Sequence, residues 1–132
     1  TERLMDGSTA RRGDLVRLQY DAAGSAYGVI LSIDGRGTVT PHLPVVGAAA
    51  VPLTSDGIVS LDVAYELDDA PRWERFFLVT GPQPFSVESI SVAARSAALA
   101  TADAPDSLDL PASLEQVALT LVKVDGPSRP EK

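Results

Sequence analysis

Few residues in this 132-residue chain could carry chemistry, and the imidazole of His42 is the first to consider because it is the only histidine. A catalytic base at His42 requires a hydroxyl nucleophile and an orienting carboxylate beside it. Serine and aspartate are plentiful, but no Gly-x-Ser-x-Gly elbow is present. The competing expectation is a partly exposed histidine at the end of a strand, just before Pro44. Cysteine is absent, which excludes a disulfide, a thiolate nucleophile and Cys-ligated zinc. The acids Glu66, Asp68 and Asp69 form the second candidate. Converging carboxylates can hold Ca²⁺, yet there is no Asp-x-Asp-x-Asp-Gly loop and Arg72 and Arg75 follow directly. The expectation is therefore a turn in which these acids pair with the two arginines, and no metal or other cofactor is expected. The segment Asp34-Gly35-Arg36-Gly37 lacks the Gly-x-Gly-x-x-Gly spacing of a phosphate loop. It reads as a hairpin turn, with Asp-Gly supplying positive φ. Trp73, Phe76 and Phe77 lie in one strand-like run, where alternation must send them to opposite faces.

The elements that position these residues are mostly strands. Period-2 alternation and β-branched or aromatic runs predict strands over Asp14–Tyr20, Ser25–Ile33, Thr38–Leu43, Ala48–Leu53, Ile58–Leu61 and Arg72–Thr80, with 62–67 extended. Turns are expected at 21–24, 55–57 and 68–71. Ser86 is a credible N-cap, with Glu88 in the first turn of a helix. Apolar spacing at Val87, Ile90, Ala94, Ala97 and Ala98 carries that helix to about Ala100. Gln116–Val124 reads as a closing strand, or alternatively as a helix capped at Ser113. About seven strands and one late helix predict a mainly β fold, an antiparallel sandwich or barrel-like sheet. The expected organisation is a linker over 1–13, one domain over 14–125 and a polar tail over 126–132.

Composition bounds the partners. The net charge is −7, from 18 acidic against 11 basic residues, which argues against a nucleic-acid module and against docking on an anionic membrane surface. No stretch approaches the roughly 18 apolar residues needed to span a bilayer, so no direct membrane insertion is expected. Nine of the 11 basic residues are Arg, which suggests a GC-rich bacterial source. The start at Thr1, without Met or an apolar leader, suggests an excised domain.

Three segments carry a resemblance. They are Gly13–Tyr20, Tyr27–Thr40 closing with His42-Leu-Pro44, and Tyr65–Thr80 with Pro84-Phe85, the Tyr65-Glu-Leu-Asp-Asp-Ala-Pro71 block being the most specific. Over roughly residues 13 to 95 the chain resembles the C-terminal, extracytoplasmic-type domain of bacterial zinc-finger anti-sigma factors, related to a family of uncharacterised all-β domains of regulatory proteins. The resemblance implies a parent with an N-terminal zinc-binding region, a membrane-spanning helix and this domain outside, the alternative location being the cytoplasm. It implies no catalytic residues. The leading expectation is a non-enzymatic sensory or protein-interaction domain. Its candidate interaction residues are Glu66, Asp68, Asp69, Arg72, Arg75 and Val51, the last lying in Ala48–Leu53, a candidate edge for strand addition. The alternatives are a small-ligand binder with a pocket between sheet and helix, and a hydrolase using His42.

Overall fold

The computed structural model describes residues 6–22, 24–53, 57–61 and 64–127. Residues 55 and 56 of the turn expected at 55–57 and part of the extended stretch at 62–67 fall outside the described residues, as does most of the expected polar tail.

The molecule is mainly β with one helix. Its centre is the pair β4 (Tyr27–Asp34) and β9 (Trp73–Gly81), antiparallel over eight residue pairs. Every residue from Gly28 to Asp34 is buried, as expected of a strand covered on both faces. β4 turns back into β5 (Val39–Leu43), and β9 pairs on its other side with β10 (Glu115–Pro127). β1 (Thr9–Arg12) runs parallel to β10, giving the order β1-β10-β9-β4-β5, with β6 (Val51–Pro52) beside β4. Two ribbons complete the set: β2 (Leu15–Val16) with β8 (Tyr65–Glu66), and β3 (Gln19–Asp21) with β7 (Ile58–Ser60).

Helix α1 (Val87–Ala100) covers one face of the central sheet. Ser86 has extended φ and ψ, and its Oγ accepts the Ser89 N–H, so it is the N-cap. Ile90 and Ala94 bury against Val29, Leu31, Ile33, Phe77 and Val79. The odd-numbered residues of β9 point to this face, so Trp73 and Phe77 join that cluster while Phe76 goes to the other side. The second face is covered by the ribbon segments, through Val16, Leu67, Phe76 and Leu121 in one cluster and Tyr20, Ile30 and Leu53 in another.

Several expectations are corrected. Ten strands form among the described residues, against about seven expected. The sheet is open and mixed, because β1 joins β10 in parallel. Residues 9–12, expected in a linker, are that strand: the Val122 N–H donates to Ser8 O and the Gly7 N–H to Thr120 O. Asp14–Tyr20 splits in two because its halves pair with different partners, β8 and β7. Residues 115–127 are strand, not helix, since eight of them lie in register against β9.

Candidate functional site

The polar residues of the sheet converge on the ribbon-covered face, at one end of β4 and β9. Register explains it. Ser32 stands opposite Phe76 and Asp34 opposite Glu74, and directly paired residues share a face. His42 joins them by alternation. In β5, Thr40 pairs with Ser32, and His42, two residues on, keeps that face. The register shift that follows sets Leu43 opposite Ile30, where it packs against the same cluster as Ile30. His42 is 9% exposed, a correction to the expected partly exposed strand end.

These side chains form one connected chain. The Ser32 hydroxyl donates to Glu74 Oε2 at 2.8 Å, and His42 Nε2 lies 2.8 Å from the same Ser32 Oγ. A hydroxyl has one proton, so with Ser32 donating to Glu74, Nε2 carries hydrogen and donates to Ser32. Ser32 and Glu74 have no exposed surface. Tyr65 packs edge-on to His42 at 4.4 Å between ring centroids, and its hydroxyl donates to Glu74 Oε2 at 3.4 Å. Glu74 Oε1 makes no well-aligned hydrogen bond but lies 3.2 Å from Lys123 Nζ, whose side chain is 5% exposed. The same ammonium lies 3.0 Å from Asp68 Oδ1. The carboxylates of Asp34, Asp68 and Glu74 stand within 4.8 Å of one another, close enough to share a cation. The Lys123 ammonium already contacts two of the three and supplies positive charge there.

Burial dominates the proton affinities. It pushes His42 down to about 4, so the ring is neutral near pH 7. It raises Glu74 against the opposing pull of the Ser32 hydroxyl and Lys123. It raises Tyr65 to about 12, assisted by the negative charge of Glu74. Burial alone would raise Asp68, but the Ala70 N–H and the Lys123 ammonium outweigh it and hold the carboxyl below its ordinary value.

A hydroxyl thus lies within reach of His42, as a hydrolase requires, but the wiring is inverted. In a nucleophilic triad the imidazole accepts from the hydroxyl and the carboxylate orients the imidazole. Here the carboxylate accepts a hydrogen bond from the hydroxyl and the imidazole donates one to its oxygen.

The acids and arginines singled out from the sequence do not pair with one another. Asp69 binds Arg36 at 2.7 Å and Asp68 binds Lys123. Arg72 Nη2 donates to Gly35 O at 3.3 Å. Arg75 donates to Thr120 Oγ1 and, at 2.9 Å, to Asp106 O, with its guanidinium 5.2 Å from the Phe77 ring centre. Glu66 is exposed on β8 opposite Leu15. Hairpin packing causes the exchange: the β4–β5 turn brings Arg36 to Asp69, and β10 brings Lys123 to Asp68. The candidate edge Ala48–Leu53 is also not free. Ala48 O and the Ala50 N–H bond to Val87 and Phe85, while the Leu53 N–H bonds to Ala26 O on the opposite side. Val51 is half-buried against the Tyr20–Ile30–Leu53 cluster.

A second feature lies on the helix side. The Asp34–Gly37 hairpin is a tight turn, with the Gly37 N–H on Asp34 O at 2.9 Å. The positive φ falls on Gly37, at 84°, not on Gly35 as Asp-Gly suggested. Gly35 is required by closeness instead: a Cβ there would sit 1.7 Å from Pro71 O. Pro71-Arg72-Trp73 is itself a γ-turn, with the Trp73 N–H on Pro71 O at 2.9 Å and Arg72 at φ 75°. That conformation is rare and strained for a side-chain-bearing residue. Between this turn, the hairpin tip and the end of α1 lies a cleft of about 200 Å³. The Trp73 indole, in its wall, holds a buried Nε1–H without a hydrogen-bond partner among the described residues.

Neither Ser32, Glu74 nor Lys123 was singled out from the sequence. The available signals were polar residues at 32 and 34 in an apolar strand, Glu74 between Trp73 and Arg75, and a lysine in the closing strand. No protein-family model, curated protein or solved structure matches this chain.

Proposed function

We propose that this chain is a non-enzymatic sensory or protein-interaction domain of a membrane-anchored bacterial regulator of the anti-sigma type, held on the outer side of the membrane. The observation that carries the non-enzymatic part is the Glu74–Ser32–His42 chain. Its serine is sealed from solvent and its hydrogen bonds run opposite to those of an activated nucleophile. Its buried charge is matched by Lys123 from β10. Such a network fixes strand register and ties β5, β4, β9, β10 and the Tyr65 ribbon into one unit. In this reading the helix-covered sheet and its ribbons form a sandwich-like scaffold, and recognition occurs on its surface.

The regulator part is supported by the resemblance. Its three segments supply β2 to β5, β8 and β9, and with them Ser32, His42, Tyr65 and Glu74 of the polar chain. No helix among the described residues is long and apolar enough to cross a membrane, so an anchor would be supplied by another part of the parent. The test is a pair of reporters fused to the C-terminus of the full-length gene product in bacteria. An alkaline phosphatase fusion is expected to be active and a cytoplasmic fluorescent-protein fusion dark. The reverse pattern overturns the reading.

A further inference from the structure

We propose that the cleft between the hairpin tip, the Arg72 γ-turn and the end of α1 binds a small carboxylate through the Arg72 guanidinium. The proposal stands on the site's own geometry and does not depend on the regulator reading.

The first observation is an arginine where glycine would serve the backbone better. Arg72 is the one non-glycine residue with positive φ among the described residues, and glycine adopts that region at no steric cost. The surroundings are built to hold it there. Pro71 O occupies the space that a side chain at Gly35 would need, and the Lys123 N–H donates to Arg72 O at 2.9 Å. A strained residue fixed from two sides beside a cleft marks its side chain as the reason for its presence.

The second is charge. Arg36 and Arg72 both line the cleft, with Trp73, Gly35, Ala98 and Thr101, and no carboxylate does. The charge of Arg36 is offset by its ion pair with Asp69, so Arg72 is the cation that faces the cleft. Among the described residues Arg72 makes a single long hydrogen bond, to Gly35 O at 3.3 Å, which leaves most of its planar fork of donors available there. That fork matches a carboxylate with two parallel hydrogen bonds.

The third is the orphaned Trp73 Nε1–H in the wall. A buried donor without an acceptor calls for an explanation. A bound carboxylate oxygen is the acceptor it lacks. A singly charged ligand is favoured over phosphate. Thr101 caps the C-terminal end of α1, where unsatisfied carbonyls carry negative partial charge, and the last turn has no basic residue to offset them.

Trp73 is the only tryptophan, so its indole N–H gives one peak in a ¹H–¹⁵N spectrum of the 132-residue protein. Titration with sodium acetate or sodium benzoate, at constant ionic strength set with sodium chloride, should shift that peak saturably. Sodium phosphate should bind at least tenfold more weakly. Arg72→Gly relieves the backbone strain and removes the fork, so it should fold, raise Tm and weaken carboxylate binding at least tenfold. Arg72→Lys, which keeps the charge without the fork, should also bind more weakly than the native protein. An unsaturable shift in all salts, phosphate binding as tight as carboxylate, or unchanged binding in Arg72→Gly each overturns the proposal.

Discussion

The burial of His42 makes a pH experiment quantitative. In the folded protein its proton affinity is pushed down to about 4, against 6.5 for a free histidine. The unfolded chain therefore takes the proton first. Stability from keeping the ring neutral is complete above pH 6.5 and is lost as pH falls toward 4. The full gap corresponds to about 3.4 kcal/mol, of which about 2 kcal/mol is lost by pH 5. For a domain of this size that is a fall in Tm of about 6 to 10 °C between pH 7.5 and 5. Other groups act in the same experiment. Glu74, raised by burial, works with the opposite sign, because its cost shrinks as pH falls. Asp68 and Asp69 are held below their ordinary values, so their contributions are lost only at lower pH. The control is His42→Gln, which retains a donor for Ser32 and cannot titrate. Thermal melts followed by circular dichroism at pH 7.5, 6.5, 5.5 and 5.0 should show the native protein losing stability faster than the variant, by about 2 kcal/mol at pH 5. Parallel pH profiles for the two proteins would refute the account of a buried, neutral His42.

Three further outcomes follow from the same contacts. Lys123→Met leaves Glu74 buried without its counter-charge and should cost about 3 kcal/mol in urea denaturation; the loss should shrink as pH falls, because burial raises the proton affinity of Glu74 and uptake of a proton removes its need for a counter-charge, and a loss below about 1 kcal/mol would contradict the pairing. Gly35→Ala should cost more than Gly37→Ala, on the order of 2 kcal/mol or more, because a Cβ at Gly35 meets backbone at 1.7 Å whereas Gly37 requires only its φ of 84°; equal stability for the two variants would refute the close contact. Ser86→Ala should cost about 1 kcal/mol by loss of the helix N-cap, measured by the same denaturation, and an unchanged midpoint would show that the cap is idle.

What could be read from the sequence was local. The α1 boundaries, its Ser86 cap, the strongest strand at Trp73–Gly81 and the β4–β5 hairpin all announce themselves through period, cap or turn chemistry within a dozen residues. What could not be read depends on register. Ser32 and Asp34 sit two apart, so alternation places them on one face, but only the pairing with β9 brings them to Phe76 and Glu74. His42 is buried because the ribbon segments cover the face it shares with Ser32 and Thr40, and no local pattern marks that cover. β1 escaped because its four residues include only one apolar side chain, Ala10; its strand character comes from β10 beside it. Pairing of sequence neighbours fails for the salt bridges, because Asp68 and Asp69 reach residues 55 and 33 positions away.

Ser32 is sealed from solvent and donates its hydrogen bond to Glu74, an arrangement that predicts no reactivity as a nucleophile. Incubation of the native protein with a fluorophosphonate, followed by intact-mass measurement, tests this in one step. The mass is expected to remain unchanged. A single adduct mapped to Ser32 would contradict it and make the Ser32–His42 pair a catalytic site.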